Sequence, residues 1–355
     1  MSTRELWIGT YPVAGAGTPV GLGEGVWSVP LDESSGVLGE PHQVATVASP
    51  SFLAAPAGGA RRRLFAALED ADGEVAVLSD GAAQTVPSGG AYPCHLVATE
   101  RALLVANYGS GTLGVLPLDD EGWFATDEPT VLGHAGSGPV VDRQEGPHAH
   151  FVAVAPGGRH VLVVDLGTDE IRRYDWDGVT ATPAGVAIAF PPGTGPRHLD
   201  FSADGRFAYV AGELDVAVHV LAWDAASATG ELVQSVPAVV GAGRGSDERA
   251  RLHQGDDAIR HGAGDLTSHL VLAGDEVLVT VRGADVLTRW SVGLDGHLTE
   301  GRSQPLRGHW PRHFAVVGPW VVVALERADA LVVLDADGTE VSRATVPAPT
   351  CVLPA

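Results

Sequence analysis

Glu145-Gly146-Pro147-His148-Ala149-His150 opens a stretch that runs on through Phe151 to Asp165-Leu166-Gly167. A polar, His-rich entry leads into an apolar run from Phe151 to Ala155, a Gly157-Gly158 turn and a second apolar run from Val161 to Val164. The design returns at Gly195-Pro196-Arg197-His198, with Leu199 to Phe201, the Asp204-Gly205 turn, Phe207 to Ala211 and then Glu213-Leu214. Self-similarity of this kind marks a repeat architecture. Working outward, seven copies of the entry align: Ser49-Pro50-Ser51-Phe52-Leu53, Tyr92-Pro93-Cys94-His95-Leu96, the opening stretch at Pro147, Pro196-Arg197-His198-Leu199, Thr267-Ser268-His269-Leu270, Pro311-Arg312-His313-Phe314 and Pro349-Thr350-Cys351-Val352. The shorter spacings are roughly 40–50 residues, the length of a four-stranded propeller blade. The longer ones hold Gly-rich inserts, Gly133 to Gly146 and Gly241 to Gly264.

Each unit reads as four short strands. In the third they fall at about 150–155, 160–165, 170–176 and 185–190, divided by Gly157-Gly158, Gly167-Thr168-Asp169 and Asp177-Gly178. Short Val-rich runs bounded by turn residues are strand signals, and no segment keeps a 3.6-residue period. After Pro349 one strand's length remains, Thr350 to Pro354; before Pro50 stand three more candidates, Leu6 to Thr10, Gly25 to Leu31 and Gln43 to Val47. Joined, they make a seventh blade, which removes the open edge of an unclosed array. The expectation is an all-β, seven-bladed propeller of four-stranded antiparallel blades, one domain over residues 1–355, closed by N-terminal strands pairing with the C-terminal strand.

The 355 residues suffice for one large all-β domain, and 46 Gly with 24 Pro suit many turns. A net charge of −22 argues against nucleic acid and anionic membrane as partners. All 22 basic residues are arginine. Schiff-base chemistry and a P-loop lysine are thereby excluded, and guanidinium is left as the permanent side-chain cation. Cys94 and Cys351 are too few for a disulfide scaffold or a Cys-rich zinc site. The N-terminus shows no apolar signal core, and no apolar run reaches the ~18 residues of a membrane span. These features lead to expect a cytoplasmic protein without cofactor or metal, monomeric or a weak homo-oligomer.

In an antiparallel blade the start of the first strand and the end of the second share a rim. One column there holds His95, His148, His150, Arg197, His198, His269, Arg312 and His313; the other holds Glu69, Asn107, Asp165, Glu213, Arg282 and Glu326. Imidazole, guanidinium and carboxylate gathered at one mouth suit ester hydrolysis: a neutral His activates water, arginines hold an anion or oxyanion, and a carboxylate orients. His95, His198, His269 and His313 each have a structural alternative, bonding a neighbouring blade's backbone. With Pro147 set against Pro196, His148 falls in a one-residue insertion and His150 keeps register with His198, so His148 is the candidate base. Arg197 and Arg282 occupy rim positions where a buried charge would be costly without an anionic partner; Glu213 could pair with Arg282. The glycines of Asn107-Tyr108-Gly109-Ser110-Gly111 read as a blade turn, since no helix follows and lysine is absent. The segment 241–264 reads as a solvated loop, with a lid as the alternative.

These motifs resemble the seven-bladed propeller lactonases, which include the propeller type of 6-phosphogluconolactonase and the carboxymuconate-lactonizing enzymes. The resemblance rests on Ile8-Gly9-Thr10-Tyr11, Ala106 to Gly111, Arg143-Gln144-Glu145-Gly146-Pro147-His148-Ala149-His150, Asp165 to Asp169, Gly195 to His198 and Pro311 to Phe314. It covers essentially the whole chain. Gly212-Glu213-Leu214 and Val281-Arg282-Gly283 stand where the family commonly has Asn-Glu-Leu and Asn-Arg-Gly, with the charged residue kept. The resemblance implies metal-independent lactone chemistry by His148, Glu213, Arg197 and Arg282. The substrate expected is an anionic sugar lactone, 6-phosphogluconolactone of the pentose phosphate pathway first. His95, Asn107, Arg143, His150, His198, Arg312, His313 and Glu326 are the further candidates for binding it. A lactonizing isomerase or lyase, and a non-catalytic binding propeller, are the alternatives.

Overall fold

The computed structural model describes residues 2–11, 25–56, 63–79, 81–241 and 264–355. The segment weighed as a lid, 241–264, lies outside the described residues except for its two end glycines. The chain folds into seven four-stranded antiparallel sheets, the blades of a propeller. The third blade has its strands at Ala149–Val154, His160–Asp165, Glu170–Trp176 and Ala181–Ala189, within a few residues of the positions read from turn spacing. The sixth has Pro311–Val317, Trp320–Leu325, Ala330–Leu334 and Glu340–Thr345. The seventh is built from both termini: Pro349–Pro354 pairs with Thr3–Thr10, followed by Val26–Asp32 and His42–Ala45.

The burial pattern explains why the strands were legible. Second strands are apolar and buried on both faces, as in Leu64–Leu68 and Trp320–Leu325. Fourth strands alternate with the pleat, as in Glu340–Thr345, where every second residue is exposed.

The residues form two compact units. One comprises Val47–Asp215 and His219–Gln234, which is the first three blades and nearly all of the fourth (first strand Pro196–Phe201, second Phe207–Gly212). Its core includes a cluster in which Leu162, Val164 and Ile171 of the third blade meet Ala208, Val210, Leu221 and Trp223 of the fourth. The other comprises Met1–Thr46, Val216–Val218 and Ser235–Ala355, with a core in which Leu6, Ile8 and Val29 meet Val322, Leu331 and Val333.

One local device recurs at the blade entries. The first strand carries a β-bulge between Pro50 and Phe52, Pro93 and His95, Ala149 and Phe151, Pro196 and His198, and Pro311 and His313. A bulge leaves one residue unpaired and re-aims its side chain; here that residue is Ser51, Cys94, His150, Arg197 or Arg312. The residue before the entry proline has positive φ in five blades: Ser49, Tyr92, Gly195, Trp310 and Ala348. At Gly195 a Cβ would also come within 2.4 Å of Leu214 Cγ, so glycine is needed twice over.

Strand pairing corrects the register expected for the third blade. Ala149, not Pro147, occupies the position of Pro196, because Ala149 pairs with Asp165 as Pro196 pairs with Gly212. His148 is therefore no insertion; it stands where the fourth blade has Gly195. His150 is the bulged residue, equivalent to Arg197, and it is Phe151 that matches His198. The third blade has alanine where the fourth has its entry proline, and Pro147 lies two residues upstream, so aligning prolines misplaces the register.

Candidate active site

The second column divides into two positions. Glu213 donates its backbone N–H to Gly195, as Tyr108 does to Tyr92, Leu166 to His148 and Glu69 to Ser49. These residues follow the second strand. Asn107 and Asp165 are one residue earlier, inside it. The four-blade unit thus places Tyr108 of the second blade and Glu213 of the fourth at equivalent points, with Arg197 and His150 on the bulges.

Glu213 is the hub of the buried charge. Its Oε1 accepts a hydrogen bond of 2.6 Å from Arg143 Nη2, and its Oε2 lies 2.9 Å from Arg197 Nε. The carboxylate and Arg197 are almost fully buried, and the Arg143 side chain is 14% exposed. Two guanidiniums sharing one carboxylate leave the cluster with a net positive charge, suited to an anion or developing oxyanion. Burial alone would make the Arg143 guanidinium easier to deprotonate. Glu213 and Tyr108 more than offset this and hold its pKa above the ordinary value. Arg197 Nη1 also donates to His198 Nε2 at 2.9 Å, so His198 is neutral with its proton on Nδ1.

Arg143 comes from the insert between the second and third blades, and the insert is pinned by the residue beside it. The Gln144 amide donates to Leu166 O at 2.8 Å and Asp169 Oδ1 at 2.7 Å, and its carbonyl accepts from Val140 N. Asp169 in turn accepts from Gly193 and Gly195 N–H, tying the insert to the entry of the fourth blade. Gln144 is fully buried. Its neighbour therefore projects its guanidinium from an anchored backbone.

His148 ends the same insert. Its Nδ1 lies 2.9 Å from Tyr108 O, an acceptor only, so Nδ1 carries a proton. Nε2 is thereby the nitrogen that exchanges protons; it faces Glu145 Oε1 at 3.1 Å. Tyr108 also stacks on the imidazole, with centroids 4.5 Å apart and planes at 19°. Asp165 fixes the backbone beneath, accepting from His148 N at 3.0 Å and Thr168 N at 2.9 Å, with His134 Nε2 3.3 Å from its other oxygen. The Glu145 side chain is 61% exposed. What burial it has would raise its pKa, but its own backbone N–H, His148 and Arg143 hold the carboxyl below the usual range.

The remaining candidates of this unit divide by role. His95 Nδ1 accepts the N–H of Val152 on the next blade at 3.3 Å, the structural alternative foreseen for it. Its ring packs between Phe52 and Phe151. His150 packs edge-on against Tyr108 and His198, with Cys94 Sγ 3.8 Å from its Nδ1. The Asn107 amide donates to Ser88 O and Thr112 Oγ1, each at 3.2 Å, bracing the second blade.

The three-blade unit holds the others. Arg282 is buried, donates to Thr267 O at 2.8 Å and lies 5.6 Å from the Trp310 ring centre. Arg312 repeats the Arg197 arrangement: it sits on the bulge, 3.3 Å from the buried Glu326, and donates to the Tyr11 hydroxyl while lying over that ring. Glu326 N bonds Trp310 O, which makes it the counterpart of Glu213. His313 Nδ1 accepts Val352 N at 3.3 Å, and its ring stacks on His269 at 3.9 Å. His95 and His313 thus tie neighbouring blades. Among the described residues no group of three or more His, Cys, Asp or Glu is placed to hold a metal ion.

Tyr108 and Glu145 are the residues of this cluster that sequence reasoning left without a role. Tyr108 was absorbed into a glycine turn. Its signal was positional: it follows the second strand, as Glu213 does.

A family model described as Lactonase, 7-bladed beta-propeller, matches residues 5–354, and the chain belongs to that family. Among curated relatives, a protein of Bacillus subtilis named 6-phosphogluconolactonase is 29% identical, over 98% of this chain and 97% of that protein. Among solved structures, a putative 6-phosphogluconolactonase of Bacteroides uniformis superposes with a TM-score of 0.84 at 25% identity, over the full length of both chains. A periplasmic gluconolactonase of Pseudomonas aeruginosa gives 0.83 at 26% identity, over 99% of each. No helix of the described residues is long and apolar enough to cross a membrane.

Proposed function

We propose that this member of the propeller lactonase family hydrolyses a sugar-acid δ-lactone, 6-phosphogluconolactone first among candidates, with water activated by a general base. The observation that carries the reading is the tautomer of His148. With Nδ1–H given to the Tyr108 carbonyl, Nε2 is the nitrogen left to exchange protons. It pairs with the exposed Glu145 carboxylate in the structure, and it acts as the base once it leaves that carboxylate, unprotonated, and faces substrate. Nε2 takes a proton from water as the water oxygen bonds to the lactone carbonyl carbon. The carbonyl π pair moves onto oxygen, where Arg197 or Arg143 stabilises it. The ring C–O bond then breaks, and its oxygen takes the proton back from Nε2–H. The carboxylic acid formed loses its proton to solvent.

Glu213 acts by holding both guanidiniums in place. Arg282 and Arg312 keep the proposed role of ligands for an anionic group, and His95, His150, His198, Asn107, His313 and Glu326 that of residues supporting the binding surface. No step calls for a metal ion. A phosphorylated substrate would place the protein in the cytoplasmic pentose phosphate pathway.

The test compares hydrolysis of 6-phosphogluconolactone and gluconolactone near neutral pH, with chelator and after subtraction of the spontaneous rate. His148→Ala should lose about 10²–10⁴-fold in kcat, the range of a general-base contribution. Turnover abolished by chelator would overturn the metal-free mechanism. If the wild type turns over neither lactone, the hydrolase reading fails, and cyclisation or binding takes its place.

A further inference from the structure

Tyr108 meets the two reactive groups of the cluster by three different parts of itself. Its carbonyl accepts His148 Nδ1–H, and its ring covers the imidazole face. Its hydroxyl oxygen lies 3.4 Å from Arg143 Nη2, the nitrogen that also donates to Glu213. The backbone cannot drift: Tyr108 N bonds Tyr92 O and Gly109 N bonds Ala91 O, both at 2.9 Å.

The hydroxyl's bonding is incomplete in an informative way. Arg143 can only donate, so the phenol oxygen accepts from it, and the phenol's own O–H is given to no described residue. Burial raises the phenol's pKa, with Arg143 pulling it down and Glu213 pushing it up. The net shift is upward, so near neutral pH the proton is present. A protonated phenol, polarised by a guanidinium and stacked on the base, is a donor pre-set before substrate arrives.

We propose that the Tyr108 hydroxyl is a catalytic hydrogen-bond donor to the lactone oxygen that becomes negative when water adds, while its carbonyl and ring position His148. This rests on the hydrolase reading above. Tyr108 does not transfer its proton: the proton taken from water resides on His148 Nε2 and passes to the ring oxygen as the C–O bond breaks. Strengthened hydrogen bonding to the oxyanion lowers the barrier without changing proton balance. Since the donor serves the transition state and not the bound ester, its removal should appear in kcat and leave KM nearly unchanged.

The experiment uses Tyr108→Phe, which keeps the carbonyl and ring and removes only the hydroxyl. With 6-phosphogluconolactone or gluconolactone, whichever the wild type turns over, kcat should fall about 100-fold or more, the scale of one lost oxyanion donor. KM should stay within about threefold, since ground-state contacts are kept. The imidazole ¹⁵N shifts of His148 should keep the Nδ1–H signature in the variant, separating loss of the donor from loss of the base's orientation. Tyr108→Ala, which also uncovers the imidazole, should lose more in kcat than Tyr108→Phe. An active wild type matched by Tyr108→Phe would overturn the inference, as would a loss confined to KM. A wild type inactive on both lactones is the failure of the underlying hydrolase reading, and the inference falls with it.

Discussion

Replacing Glu213 by glutamine tests the electrostatic hub of the four-blade unit. The carboxylate meets Arg143 at 2.6 Å and Arg197 at 2.9 Å, and Arg197 has almost no access to water. Glutamine has nearly the same shape but no charge, and it presents an NH₂ group to one guanidinium. Removing one partner of a buried ion pair costs about 3–5 kcal/mol, because the charge left behind is desolvated without compensation. Arg143 retains some exposure and can recruit water, which puts the expected loss near the lower end, about 3 kcal/mol. For a protein of this size that corresponds to a fall in thermal midpoint of roughly 4 °C. Scanning calorimetry at neutral pH should show it, and kcat/KM for the lactone should fall about 100-fold or more as both guanidiniums lose their fixed positions. Glu213→Asp keeps the charge but shortens the reach, and should lie between. A glutamine variant melting within about 1 °C of wild type would refute the claim that one carboxylate balances two buried cations.

Three further perturbations separate scaffold from site. His95→Ala strands the Val152 N–H and removes a packed ring; it should cost about 2–4 kcal/mol and speed amide exchange at Val152. Glu145→Gln alters a largely exposed pair with His148, so the thermal midpoint should move by no more than a degree or two. The native Glu145 carboxyl titrates below the usual range, so its pairing with His148 is present at neutral pH and is lost as pH falls through that lowered value; an imidazole shift of His148 accompanying this acid step should vanish in the glutamine variant. Asp204, in the turn between the first two strands of the fourth blade, is held at about 2 by the Ser202 hydroxyl and by the backbone and side chain of Arg206. A depressed carboxylate stabilises the fold above its unfolded pKa and loses that contribution as pH drops through the folded one. Asp204→Asn should therefore flatten the acid limb of a stability–pH curve between about pH 4 and 2 and slightly lower stability at neutral pH, where the wild type holds the contribution in full.

How much of this could be read from the chain depends on which physical signal each feature leaves. Strands bounded by Gly157-Gly158 or Asp204-Gly205 announce themselves, because tight turns need those residues and buried strands need Val and Leu. The closing blade was legible by counting strands at the two ends. Arg143, Arg197, His148 and Glu213 were all visible as candidates, since so many charged groups at strand ends demand a reason. The pairing among them was not visible. From spacing Glu213 can be set only against a neighbour such as Arg282; the structure shows it closing on Arg143 from the insert and Arg197 from the bulge.

What the amino-acid order settled alone is therefore the periodic part: seven repeats, four strands in each, and a ring closed by the termini. Hydrophobic period and turn residues are local properties, and they survive reading one residue at a time. Tertiary structure decided what each polar side chain does. Strand pairing puts Ala149, not Pro147, at the position of Pro196, so that His150 takes the place of Arg197 and Phe151 that of His198. The same folding brings the carbonyl of Tyr108, forty residues upstream, onto His148 Nδ1 and so leaves Nε2 as the working nitrogen. Neither result follows from spacing, because a hydrogen bond between distant strands is set by the path of the backbone in space.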